Sequence, residues 1–218
     1  FRLFTRIPAG ASWKPRGDGL PPEHAYLTIL RQAFHQAGEG DARVLAFGAI
    51  SGAHFNPVVT LVDRAFGSIT TRDSGFYIAA QVTGGCIGAV LANLMFELPA
   101  IELSTKTRSL PALWLSEIIA TVGLLLVIHG CVRTGRANVV AFAVGIWIGG
   151  AYWFTSSTSF ANPAVTITRT LSDTFTGIKP SSAPMFILMQ LVGAAIAYGL
   201  IRLLYPAPSP RGHHADRR

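Results

Sequence analysis

Residues 51–60 read Ser51-Gly52-Ala53-His54-Phe55-Asn56-Pro57-Val58-Val59-Thr60, and residues 159–166 read Ser159-Phe160-Ala161-Asn162-Pro163-Ala164-Val165-Thr166. Both carry Asn-Pro, then a small apolar pair, then Thr, and they lie roughly a hundred residues apart. A repeat at that distance marks an internally duplicated chain, and in an apolar chain it predicts an inverted-repeat membrane protein. The dipeptide has its own local chemistry. Asn is a favoured N-cap and Pro is preorganised for the first helical position, so each repeat starts a short helix with Asn at its mouth.

The segments 55–60 and 160–168 are too short to cross a bilayer alone. Together they make one broken span whose N-termini meet at mid-membrane. The positive dipole ends there repel cations. The Asn amides can donate to a neutral oxygen, while Val58, Ala164 and Val165 line the rest of the path. That combination suits a water-like or polyol-like solute.

The bulk of the chain is built for lipid. Half of its residues are hydrophobic, 13% are charged, and the mean hydropathy is +0.42. Soluble domains carry about 25% charged residues. Four apolar windows, 75–96, 110–132, 138–154 and 184–205, approach or exceed the ~17–25 residues that span a bilayer. They are rich in Gly and Ala, as at Gly84-Gly85, Gly149-Gly150 and Gly193-Ala194-Ala195, which lets helix backbones approach closely. The net charge of +7 therefore reads as a topology signal rather than a nucleic-acid surface. Arg133 and Arg136 between two spans, Arg64 and Arg72 before 75–96, and Arg202, Arg211, Arg217 and Arg218 after the last span all predict cytoplasmic connections. The segment 97–109 has Glu97 and Glu102 against Lys106 and Arg108 and falls on the opposite side. The two Asn-Pro segments then enter from opposite faces.

Residues 1–43 differ in kind. They carry Arg2, Arg6, Lys14, Arg16, Asp18, Glu23, Arg31, Glu39, Asp41 and Arg43 together with Pro8, Pro15, Pro21 and Pro22, and no membrane span or secretory signal fits there. Position 1 is Phe rather than Met, which predicts a processed product, a fragment or a misread start. The expected organisation is a non-membrane or aberrant segment 1–43, a channel domain 44–205 and a cytoplasmic tail 206–218. Within 44–205 we expect a span remnant with the first half-helix at 44–66, the four windows, and the second half-helix at 162–170.

These motifs, their separation and their flanks resemble the aquaporin (major intrinsic protein) family, over roughly 43–205. The family's first signature is Ser-Gly-Ala-His-x-Asn-Pro-Ala, which stands here from Ser51 to Val58 with Val58 replacing Ala. Its second is intact at Asn162-Pro163-Ala164. The resemblance implies an all-α membrane protein, an inverted-repeat bundle with two Asn-Pro half-helices, a solute pore in every subunit and a homotetramer. It implies a bacterial inner (plasma) membrane location with the bilayer and a small uncharged solute as partners, and no cofactor, metal or nucleic acid. Glu117 matches the buried Glu that braces the second half-helix loop. Gln81 and Gln190 match polar positions in the helices that follow each half-helix.

Two departures from the family follow. Its first helix, most of its second, and the first-repeat counterpart of Glu117 find no match in 1–43, so the fold is expected to be N-terminally incomplete. Spacing puts the second-helix filter position near Gln36, which has no membrane character and is left unassigned. Second, the family places Arg directly after the second Asn-Pro-Ala, where this chain has Val165. With Gly150 and Ser159 at the other recognisable filter positions, the resemblance implies a wide, apolar constriction. That favours uncharged solutes larger than water, such as small polyols or neutral metalloid acids like arsenous acid. Arg169 is expected one turn deeper or on the packing face, not at the filter.

Other residues have plainer readings. His54 is expected to be a hydrogen-bonded loop or pore residue rather than a pH sensor, and Glu117 a structural brace rather than a proton relay. Tyr152, Trp153 and Phe154 read as an interfacial aromatic belt. His129 reads as a helix-end residue, His213 and His214 as solvated tail, and Cys86 and Cys131 as packed thiols. No Gly-rich phosphate loop, His-Glu-x-x-His or Cys-x-x-Cys supports an enzyme. The rival expectation is a non-conducting, truncated or frame-disrupted channel relic.

Overall fold

The computed structural model describes residues 51–206. The expectations for 1–43, for 44–50, for Gln36 and for the tail beyond 206 lie outside the described residues. Within them the chain forms helices α1 (Pro57–Ala65), α2 (Thr71–Met95), α3 (Pro111–Arg133), α4 (Val140–Phe154), α5 (Pro163–Thr168) and α6 (Ala183–Leu204). A 3-10 turn, Ala137–Val139, leads into α4, and another, Arg169–Leu171, closes α5. Among the described residues four helical stretches are long and apolar enough to cross a membrane: Thr71–Met95, Pro111–Arg133, Ala137–Phe154 and Ala183–Leu204. Among the described residues the regular structure is all helical, with no strand.

Helix boundaries follow caps more closely than hydropathy. The second helix begins four residues before its apolar window because Thr70 caps it. Thr70 Oγ1 accepts from the Asp73 amide at 3.1 Å, and its hydroxyl donates to Asp73 Oδ2 at 2.7 Å. Both half-helices start where Asn caps and Pro fills the first turn. The second tightens into its 3-10 turn after Thr168, so the single helix expected through 170 is split.

The two halves exchange their half-helices. From the first half, α1 buries Val58, Val59 and Val62 against Ala194, Ala197 and Ile201 of α6 and Leu125 of α3. In return, α5 reaches α2, where a Cβ on Gly85 would lie 2.6 Å from Thr168 Cγ2. Long spans touch through small residues, as expected where lipid removes the hydrophobic drive for helix association. On α6, a Cβ on Gly193 would lie 2.9 Å from the Ile118 carbonyl oxygen of α3. Large apolar side chains such as Leu91, Ile146 and Leu203 remain on the outer surface, as a lipid-facing wall requires.

Two connections are zipped together at one end of the bundle. Glu102 and Ser104 donate their amides to Leu171 and Thr170 carbonyls at 3.1 and 3.0 Å, and Lys179 donates to the Lys106 carbonyl at 2.7 Å. Asp173 fastens the seam by accepting from the Thr105 amide at 3.0 Å, the Thr105 hydroxyl at 2.9 Å and the Ser104 hydroxyl at 3.1 Å. The Thr105 amide bond above all holds the Asp173 carboxyl below its ordinary value of 3.8. A depressed carboxylate pKa gives stability that is present above 3.8 and lost as pH falls through the folded-state value. Limited proteolysis between residues 97 and 110 should therefore accelerate below about pH 4, and Asp173→Asn should cleave at its fast rate already at pH 7. Equal cleavage of parent and Asp173→Asn at pH 7 would remove this role.

Candidate functional site

The half-helix N-termini meet head to head through a reciprocal pair of bonds. Asn56 Oδ1 accepts from the Val58 amide at 3.1 Å, while its Nδ2 donates to the Ala161 carbonyl at 2.8 Å. Asn162 Oδ1 accepts from the Ala164 and Val165 amides at 3.0 and 3.3 Å, while its Nδ2 donates to the Phe55 carbonyl at 2.9 Å. Each Asn thus caps its own helix and donates to the residue just before the opposite Asn. One side chain satisfies orphan helix donors and ties the two halves together.

The backbone before each Asn makes this possible. Ala53 and Phe55 have φ of 48° and 45°, and Ser159 and Ala161 have φ of 48° and 45°, all in the left-handed region. One residue earlier, Gly52 and Thr158 have φ of 76° and 64°. Both loops therefore repeat one unusual conformation at equal distances from their Asn. A non-Gly residue held there costs roughly 1–3 kcal/mol, so the surroundings must hold it. They hold the second loop through Glu117, which is 0% exposed. Glu117 Oε1 accepts from the Ser157 hydroxyl at 2.6 Å and the Phe160 amide at 3.0 Å. Its Oε2 accepts from the Ala161 amide at 2.9 Å and Gln190 Nε2 at 2.6 Å. Gln190 in turn reaches Thr166, four residues past Asn162, at 2.9 Å.

The first loop uses different groups. Gln81 Nε2 donates to Thr60 Oγ1 at 3.1 Å, matching the bond of Gln190 to Thr166. His54 bridges Thr60 Oγ1 at 3.1 Å and Asp63 Oδ2 at 2.9 Å. Tyr77 donates its hydroxyl to the Ser51 carbonyl. Asp63 was not singled out in the sequence, although its place on α1 two turns beyond Asn56 points it back along the helix face. His129 is buried, with its Nε2 3.9 Å from Asp63 Oδ1 and its ring 5.4 Å from that of Phe66.

The remaining candidates spread along one side of this centre. Ser159 is buried, Val165 and Asn162 are half-buried, and Gly150 on α4 is exposed. Val58 and Ala164 lie buried behind the caps. Of the aromatic run, Trp153 is 44% and Phe154 58% exposed. Tyr152 is only 3% exposed, so it does not belong to an interfacial belt. Its position turns it into the bundle, one residue before Trp153. Sequence reasoning also passed over Arg108. Its Nε donates to the Gly177 carbonyl at 2.8 Å, Nη1 to Ser157 at 3.1 Å and Nη2 to Phe175 at 3.3 Å. Burial lowers its pKa below the ordinary guanidinium value, opposed by the Glu117 charge. Its partners lie far along the chain, where no local signal reaches.

The chain is similar in sequence to known proteins. The family described as Major intrinsic protein matches residues 24–151 and 133–217, starting ahead of the stretch on which the sequence resemblance rests. The chain is 48% identical over 165 residues to aquaglyceroporin AqpS of Rhizobium meliloti (strain 1021), covering 75% of this chain and 70% of that protein. It is 33% identical over 172 residues to aquaporin NIP1-1 of Zea mays, covering 73% of this chain and 58% of that one. To probable aquaporin AqpM of Archaeoglobus fulgidus it is 30% identical over 175 residues, covering 75% and 71%. The matched share of a relative's own length falls as low as 38%, for probable aquaporin NIP4-2 of Arabidopsis thaliana.

Proposed function

The chain belongs to the aquaporin (major intrinsic protein) family, and from that premise we propose that it forms a membrane channel for passive movement of small uncharged solutes. The solutes are water, glycerol-like polyols and neutral metalloid acids such as arsenous acid. The path runs between the caps of the two Asn-Pro motifs, Asn56-Pro57-Val58 and Asn162-Pro163-Ala164, with Asn56 and Asn162 facing it. Gly150, Ser159 and Val165 form a filter that lacks the usual Arg. His54 and Glu117 support the two pore loops, and the working assembly is a homotetramer in a bacterial plasma membrane.

The reciprocal Asn bonds carry this reading. They fix two positive helix ends face to face, which disfavours a cation between them. A neutral hydroxyl solute loses little there, because amide donors and backbone carbonyls replace its water. The similarity to a protein named aquaglyceroporin supports a bore wide enough for polyols. Small residues at positions 150, 159 and 165 support the same conclusion.

Stopped-flow light scattering of proteoliposomes holding the 218-residue chain tests it. Shrinkage in an impermeant osmolyte and reswelling in glycerol should both exceed those of empty liposomes. Inserted protein without either flux would mean a non-conducting aquaporin-like membrane protein. Val165→Arg adds guanidinium bulk at the filter and should cut glycerol flux on the order of tenfold, a cost of about 1.4 kcal/mol, with a smaller loss of water flux. Equal loss of both would instead point to misfolding.

A further inference from the structure

One turn beyond Val165, the Arg169 amide donates to the Val165 carbonyl and closes α5. Residues four apart share a helix face, and helical side chains lean back toward the N-terminus. The Arg169 side chain therefore returns toward the level of Val165. Its guanidinium lies 4.2 Å over the ring of Phe160, the residue next to Ser159. Its Nη1 is enclosed without any hydrogen-bond partner. Nearby Arg108 is the opposite case: it also lies over Phe160, at 5.0 Å, but all three of its nitrogens are spent on backbone carbonyls. An enclosed cation with an unspent donor is costly unless it serves a ligand.

We propose that Arg169, which the sequence alone put away from the filter, is instead a specificity-determining cation of the channel, reaching back along α5 to the constriction of Gly150, Ser159 and Val165. This rests on the channel reading above. Phe160 is the platform that orients the guanidinium, a stacking that suits Arg better than Lys. The charge adds to the positive ends of α1 and α5 and excludes cations, hydronium included. The unspent donor offers a hydrogen bond to a hydroxyl oxygen of a neutral solute. Val165 meanwhile keeps the bore wide. The chain thereby separates two tasks that a single Arg at position 165 would combine, supplying charge from one turn away and width on the spot.

The test uses proteoliposomes of the full chain, with water and glycerol permeability and the leak of sodium ions and protons measured on the same preparation. Arg169→Gln should raise the ratio of cation and proton leak to glycerol flux roughly tenfold or more, and Arg169→Lys should bring that ratio most of the way back. An Arg169→Gln channel that conducts glycerol and stays as cation-tight as the parent overturns the proposal. Should Arg169→Gln fail to insert, Val165→Glu decides. A carboxylate one turn before Arg169 pairs with it and leaves the vesicles tight, whereas a leak in Val165→Glu overturns the proposal. A parent without solute flux sinks the channel reading and this inference together, and shows itself before any substitution is made.

Discussion

Glu117→Ala is expected to destabilise the detergent-solubilised protein by roughly 3–5 kcal/mol, lowering its unfolding midpoint on the order of 10 °C. The substitution orphans four donors at once: the Ser157 hydroxyl, the Phe160 and Ala161 amides, and Gln190 Nε2. Each buried donor left unmade costs about 1–3 kcal/mol, and no water reaches this part of the bundle cheaply. The Ala161 amide matters most. Its residue sits at φ 45°, and its carbonyl is the acceptor for Asn56. Losing the brace therefore loosens the second loop and, through it, the cap of the first half-helix. Glu117→Gln keeps the shape but turns one acceptor oxygen into a donor, so an intermediate loss is expected. Thermal unfolding followed by fluorescence-detected size exclusion reads all three proteins. A parent-like midpoint for Glu117→Ala would show that the loop holds itself.

What could be read from the sequence followed the range of the physics. Asn capping and the Pro first turn are local, so residues 56–57 and 162–163 announce two helix starts without any tertiary information. Lipid demands long apolar runs, so four spans are visible as composition. Their ends are not, because Thr70 and Asp73 extend α2 with polar residues that hydropathy assigns to a connection. The left-handed backbone of Ala53, Phe55, Ser159 and Ala161 had no signal at all, since that region ordinarily asks for Gly. Only the buried acceptors of Glu117 explain its tolerance at Ala161, and these join residues more than forty positions apart. Arg108 and Asp63 went unread for the same reason. A single charged residue in a connection or on a half-helix looks solvated until its distant partners are known. Tyr152 shows the converse error, where an aromatic run suggested an interface and the helix turned one of its members inward.

Asn162→Asp and Asn56→Asp are expected to keep the fold and lose the selectivity. Asp retains the cap oxygen, and a carboxylate at a helix N-terminus gains about 0.3–1 kcal/mol. Against that, its second oxygen replaces Nδ2 and faces a carbonyl, Phe55 at 2.9 Å or Ala161 at 2.8 Å. Two acceptors at that distance forfeit the cross-repeat bond and cost about 1–3 kcal/mol. The net stability loss is thus modest, about 1–2 kcal/mol. The electrostatic change is much larger. A unit negative charge where two positive helix ends meet interacts with a cation at ~4 Å by about 4 kcal/mol at an effective dielectric of 20. Cation leak should therefore rise on the order of a hundredfold or more. Asn162, the more exposed of the pair, should show the larger leak. Sodium and proton fluxes in proteoliposomes, with unfolding midpoints from the same preparations, separate the two effects. If both variants insert, conduct glycerol as the parent does and remain cation-tight, then no solute passes between the two Asn side chains and the path must lie elsewhere in the bundle.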